Sequence, residues 1–198
     1  MADRRTVRTK ANIRECFLQI MLEHPGRMAQ VKELCDHADI NRSTFYFYYD
    51  DIYALLAELQ EEFLAHVPYM LFSAGREEYR TAVQEFVTYV KENRDMFCVL
   101  YQQHSIEDRV AEEAARLMRQ RDGTRDGAGA DAAGRDAAQR DAAQRLITSY
   151  SCTGVYRLMY DWLTSDDAAG EQQVADLLLN LLYYTDLAHR ASVGALRG

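Results

Sequence analysis

The chain has 198 residues, 48% of them apolar, a net charge of −8 and only two prolines, Pro25 and Pro68. That is enough apolar material for one domain or two small ones, and helix formers fill most segments, so an all-α fold is predicted. The charged N-terminus and the short apolar run Leu177 to Tyr184, bounded by Asp176 and Asp186, predict neither a signal peptide nor a membrane span.

The first helix is predicted from Thr6 to Glu23, with Ile13, Phe17, Ile20 and Met21 inward, and it stops at His24-Pro25-Gly26. Residues 1 to 14 hold five basic side chains and one acid, a local charge of +4. Residues 57 to 198 hold 15 basic and 23 acidic side chains and so the whole −8. A basic arm on an otherwise acidic chain gives a local footprint for a polyanion and keeps the rest off it.

Val31, Leu34, Cys35 and Ala38 recur at helical spacing and form the apolar stripe of a second helix. Asp39-Ile40-Asn41 breaks the pattern. Asp39 falls where the turn needs a positive φ, which Asp accepts better than most side chains. Asn41 suits the N-cap of a third helix opening at Arg42. Two short helices across a tight turn make a helix-turn-helix, whose second helix enters the major groove.

Phe45 and Tyr49, four apart, are expected to face inward onto Leu34 and Ile13, leaving Arg42, Tyr46, Phe47 and Tyr48 outward. A row of exposed aromatics calls for a partner surface. Tyr46 can donate its hydroxyl to a phosphate, Phe47 and Tyr48 can pack on thymine methyls or sugars, and Arg42 can pair with guanine or with a phosphate. A β-strand through Thr44 to Tyr49 competes on propensity alone, but no second strand is in reach.

A fourth helix is predicted from Asp50-Asp51, acids suited to an N-terminus, to His66, where Pro68 ends or kinks it. A fifth runs from Glu77 to Asn93 and buries Val83, Phe86, Val87 and Val90. Arg94 to Gln103 forms a short helix, and Ser105-x-x-Asp108 resembles a capping box opening another through Arg119. Residues 120 to 144 are a low-complexity tract with glycines at 123, 127, 129 and 134, read as an expanded loop. From Asp136 its Ala content and the pairs Asp136–Arg140 and Asp141–Arg145 extend the next helix.

The last two helices are predicted over Ala142 to Leu163 and Glu171 to Ala191. Leu146, Tyr150, Thr153, Gly154, Arg157 and Leu158 line one face of the first, and Val174, Leu177, Leu178, Leu181, Leu182 and Thr185 one face of the second.

Asn41 to Tyr49, Asn-Arg-Ser-Thr-Phe-Tyr-Phe-Tyr-Tyr, followed by Asp50-Asp51-Ile52-Tyr53-Ala54-Leu55-Leu56, resembles the signature of the TetR family of bacterial transcription regulators. The similarity is close over roughly the first third of the chain and weaker in Tyr89 to Phe97 and in the Gly154…Trp162 pair. Asp39 stands where the family usually has Gly, Ile52 where it usually has Lys, and Gln30 where it usually has Thr.

The resemblance implies a helix-turn-helix domain over residues 1–50 and a helical-bundle regulatory and dimerisation domain over 51–198, with the fourth helix linking them. It implies a homodimer that binds a near-palindromic double-stranded DNA operator, acts as a repressor and is released by a small-molecule effector. The DNA-contacting set is then Arg5, Lys10, Gln30, Val31, Asn41, Arg42, Ser43, Thr44, Tyr46, Phe47 and Tyr48. The last two helices would pair with their copies in a four-helix bundle through Leu146, Tyr150, Gly154, Leu158, Leu177, Leu178, Leu181 and Thr185. Phe72, Tyr89, Phe97, Tyr101, Tyr150, Tyr156 and Trp162 are candidates for an effector pocket between helices, and equally for core.

Enzymatic motifs are missing: no Gly-x-Ser-x-Gly, no phosphate-binding glycine loop and no His-Glu-x-x-His. The five histidines are scattered, and no cofactor or metal is predicted. Cys16, Cys35, Cys98 and Cys152 are far apart without a C-x-x-C pair, and read as reduced core thiols of a cytoplasmic protein rather than a disulfide frame or zinc site. The competing reading is a small-molecule-binding or protein-interaction module that keeps the fold but no longer reads DNA; Ile52 and Asp39 favour it.

Overall fold

Apolar residues at helical spacing produce helices throughout the computed structural model, which describes residues 4–67, 76–103, 106–123, 133–166 and 169–195. Among these the elements are α1 (Arg4–Glu23), α2 (Val31–His37), α3 (Arg42–Tyr48), α4 (Ile52–His66), α5 (Arg76–Glu92), α6 (Arg94–Gln102), α7 (Ile106–Gly123), α8 (Ala133–Thr164) and α9 (Glu171–Ala195). None of them is long and apolar enough to cross a membrane. The chain divides into two compact units, Met1–Ala65 with Asn93–His104, and His66–Glu92 with Ser105–Gly198. The division expected at residue 50 thus falls later, and α6 returns to the first unit. The reason is packing: Phe97 of α6 sets its ring 5.8 Å from Phe63 of α4, and both are fully buried.

In the first unit α1 buries Ile13, Phe17, Ile20 and Met21, the stripe its spacing predicts. The turn after α2 is built as expected, with Asp39 at φ +51°. Ile40 N–H reaches back 3.0 Å to the Cys35 carbonyl, the long closing bond of a Schellman-type C-cap. Asn12 of α1 adds a bond that no local pattern announces: its Nδ2 donates to the Ala38 carbonyl at 2.8 Å, satisfying an acceptor freed at the helix end.

A β-branched side chain is strained at a left-handed φ, whereas glycine is not. Asp39→Val is therefore expected to cost about 1–3 kcal/mol, and Asp39→Gly to leave stability unchanged or higher. Urea unfolding of both variants checks this; equal stability of the two would show that the turn relaxes to another conformation.

Asn41 holds the N-cap position of α3, but its side chain makes no cap bond. Its carbonyl takes Thr44 N–H at 2.9 Å and Phe45 N–H at 3.2 Å instead. Tyr49 donates its N–H to the Phe45 carbonyl at 3.0 Å and closes the helix. It is the C-cap, with extended φ −141°, yet it is buried and its ring lies 5.7 Å from that of Phe45. Asp51 caps α4 by accepting Ala54 N–H at 2.8 Å.

In the second unit α5 buries Val83, Phe86, Val87 and Val90, and α8 and α9 contribute Cys152, Tyr156, Met159, Val174 and Leu178 to the core. Arg80 pairs with Asp176 at 3.2 Å, and Lys91 pairs with Glu171, fixing the start of α9 on α5. The low-complexity tract differs from its expected loop. α7 continues to Gly123 and α8 begins at Ala133, so alanine and the Arg/Asp spacing prevail at the end that opens α8; the middle of the tract, and the Ser105 cap, lie outside the described residues.

Candidate nucleic-acid interface

Seven residues make α3, and with the C-cap Tyr49 their spacing sorts them into four ridges. Phe45 and Tyr49 are buried, Thr44 and Tyr48 half-buried, while Arg42 with Tyr46 and Ser43 with Phe47 are exposed. Phe45, with no exposed surface, anchors the helix, and Phe47 keeps 79% of its surface open. The Tyr48 ring meets that of Phe47 edge-on at 5.0 Å, and Tyr46 meets Phe45 edge-on at 5.6 Å. The buried anchor therefore orients an outward face carrying one guanidinium, two short hydroxyl or amide groups (Ser43, Asn41) and two aromatic rings.

Entry to α2 is held by an ion pair. Arg27 grips Glu33 with two hydrogen bonds of 3.1 and 2.6 Å, and Gln30 N–H points to the same carboxylate at 3.4 Å. The Arg27 hydrogen bonds hold the Glu33 carboxyl below its ordinary range. Gln30 is exposed and Val31 half-buried, so of this pair Gln30 has the surface for a contact.

Lys10 is paired within the chain. Its Nζ donates to Glu58 at 2.6 Å and lies 5.0 Å above the Tyr49 ring, which places its charge in the half-exposed α1–α4 seam. Tyr49 donates its hydroxyl to the other Glu58 oxygen at 2.9 Å, and Arg14 pairs with Glu62 at 2.6 Å. The residue that ends α3 is thereby tied to α4. Arg5 is exposed on α1. Burial pushes the Tyr49 phenol up.

Burial acts to raise the Glu58 carboxyl as well, but the hydrogen bonds from Lys10 and Tyr49 outweigh it and hold the group below its ordinary range. A carboxylate depressed in the folded state stabilises above the unfolded value, about 4.3 for Glu, and that gain is lost as pH falls through the folded value. Glu58→Gln is expected to lower stability at pH 7 and to leave it close to wild type in acid. Urea unfolding at both pH values checks this, and a deficit independent of pH would mean that the carboxylate charge is not what matters.

In the second unit Val67, Val83, Phe86, Val110, Ser151, Cys152, Val155, Tyr156, Leu178 and Leu182 line a half-open apolar cavity of about 50 Å³. Of the aromatic candidates for an effector wall, Tyr156 lines it. Phe97 is instead core of the first unit, with Tyr101 stacked 6.3 Å away. Tyr89 stacks on His66 at 3.9 Å, and Trp162 donates its N–H to the Ala169 carbonyl at 2.8 Å. Tyr150 is 81% exposed, so it faces away from that cavity, and Phe72 lies outside the described residues.

The expected pairing face is open in the single chain. Leu146, Tyr150, Leu177 and Leu181 are exposed, as is Gly154, where an added Cβ would meet nothing within 4 Å; Leu158 is half-buried. Leu178 has to be withdrawn from it, because only 1% of its surface is exposed and it walls the cavity. One step along a helix is 100°, enough to move Leu178 from the open face to the core. The Thr185 side chain lies outside the described residues.

No family model matches the sequence, and no curated protein matches it. Solved structures do. A TetR-like transcriptional regulator from Rhodococcus sp. RHA1 superposes with a TM-score of 0.58 at 20% identity, over 91% of this chain and 96% of that one. A TetR transcriptional regulator from Streptococcus agalactiae 2603V gives 0.55 at 18%, over 91% and 96%. The transcriptional regulator FadR from Bacillus subtilis, in complex with stearoyl-CoA, gives 0.53 at 12%, over 87% and 96%.

The chain has the TetR-like fold.

Within the TetR-like fold each departure noted in the sequence has a structural answer. Asp39 takes the left-handed turn that glycine would take. Ile52 is buried at the start of α4, 6% exposed, while its neighbour Tyr53 is 62% exposed. The Asp51 cap sets the phase of α4 and so turns Tyr53 outward. Gln30 caps α2 through its backbone, its carbonyl accepting Leu34 N–H at 2.9 Å.

Proposed function

We propose that this chain is a DNA-binding transcription regulator that reads a near-palindromic duplex operator as a homodimer and represses until a small-molecule effector releases it. The observation that carries the reading is α3, a seven-residue helix anchored by buried Phe45 and presenting Arg42, Ser43, Tyr46 and Phe47 outward. A helix of that build, set behind a left-handed turn at Asp39, fits the major groove. The solved proteins of similar fold are regulators by name, and the basic arm of α1 supplies a footprint for phosphates.

Dimerisation is assigned to the open face of α8 and α9, whose exposed Leu146, Tyr150, Leu177 and Leu181 are apolar surface that a second copy would remove from water. The effector is assigned to the cavity around Tyr156, whose walls select an apolar molecule; it is far below the several hundred Å³ usual for ligand sites, so binding requires the helices around it to move apart. Linkage then gives the mechanism: an effector that prefers the opened state lowers DNA affinity by its differential affinity for the two states.

Selection of bound sites from a random duplex pool, at physiological salt where non-specific binding is weak, tests the reading. An enriched inverted repeat supports a dimeric reader and supplies its operator. A folded protein that enriches no sequence overturns it in favour of a module that keeps the fold without reading DNA.

A further inference from the structure

We infer that Phe47 makes this protein select thymine, by packing its ring on the 5-methyl group of one thymine in each half-site. The inference rests on the DNA-reading role proposed above and specifies what α3 reads.

Three observations lead to it. Phe47 is 79% exposed on the outward face of α3, one turn beyond the short Ser43 on the same ridge, so it projects furthest where its neighbour is smallest. Its ring is braced edge-on by Tyr48 at 5.0 Å and 87°, and Tyr48 is itself half-buried, which restricts the orientations Phe47 takes. Lastly, charge on α3 itself is thin: Arg42 is its one basic residue, and Asp50 and Asp51 follow. Lys10, Arg14 and Arg27 are paired with Glu58, Glu62 and Glu33, while Lys32 on α2 is exposed.

Groove chemistry then chooses the target. Guanine, adenine and cytosine edges offer donors and acceptors that a phenyl ring would cover without pairing, whereas the thymine methyl is the apolar feature of the major-groove floor. A ring without a polar atom gains there and loses elsewhere. Arg42 and Tyr46, on the adjacent ridge, remain for guanine and phosphate.

The test uses synthetic duplexes of the selected operator in which each thymine is replaced in turn by deoxyuridine, which removes only the methyl group. The full-length protein and its Phe47→Ala and Phe47→Leu variants are titrated by fluorescence anisotropy. At one position per half-site, deoxyuridine is expected to weaken wild-type binding about fourfold, the value of one buried methyl contact. Phe47→Ala should bind the thymine and deoxyuridine duplexes equally, and Phe47→Leu should keep part of the discrimination. An operator that is selected but indifferent to every thymine methyl overturns the inference and leaves the regulator reading standing, and so does equal discrimination by Phe47→Ala. Failure to select any operator overturns both.

Discussion

Phe97→Ala is expected to lower the unfolding free energy of the first unit by about 3–5 kcal/mol, the cost of deleting a fully buried aromatic ring. Phe97 has no exposed surface, and its ring lies between Phe63 at 5.8 Å and Tyr101 at 6.3 Å. With Met96, Cys98, Val99 and Leu100 it belongs to the buried face of α6, which, distant in sequence, rejoins α1–α4. Truncation would leave a cavity that the neighbouring helices close only in part. Denaturant unfolding followed by circular dichroism measures the loss. A cost below about 1 kcal/mol would move Phe97 from the core to a pocket wall, the alternative its sequence position left open.

Arg42→Ala is the largest change expected in DNA binding. Arg42 is exposed at the first turn of α3, on the ridge it shares with Tyr46, and a guanidinium paired with guanine or phosphate contributes about 1–3 kcal/mol. Affinity for the selected operator should fall by about 5- to 150-fold. If Arg42 contacts a base, preference at one position should relax; if a phosphate, all sequences should weaken alike. Tyr46→Phe removes only a hydroxyl and should weaken binding severalfold without changing preference. Wild-type affinity in both variants would remove α3 from the reading role.

Local chemistry is legible in the sequence, and long-range pairing is not. The turn between α2 and α3 follows from residues 35 to 42 alone, and the positive φ of Asp39 follows from its place in that turn. The apolar stripes of α1 and α5 follow from period as well. Lys10, however, sits 48 residues from Glu58, and nothing local in a basic N-terminal arm reveals that one of its charges is turned inward. The same holds for Asn12, whose partner is the carbonyl of Ala38. In α9, Leu177 and Leu178 are chemically identical neighbours, and only the position of the other helices decides that the second is the buried one. In residues 120–144 glycine argues for loop and alanine for helix. At the α8 end the repeats win, because the i,i+4 pairs Asp136–Arg140 and Asp141–Arg145 reinforce alanine there.

The four cysteines offer a built-in clock. All are buried free thiols, with Cys16, Cys35 and Cys98 in the first unit and Cys152 in the second. Burial raises each thiol above its ordinary value, Cys152 to about 12, so little thiolate is presented to a reagent while the fold is closed. Alkylation can then proceed only as fast as the surrounding helices open, and mass spectrometry of a labelling time course would read the opening of the two units separately.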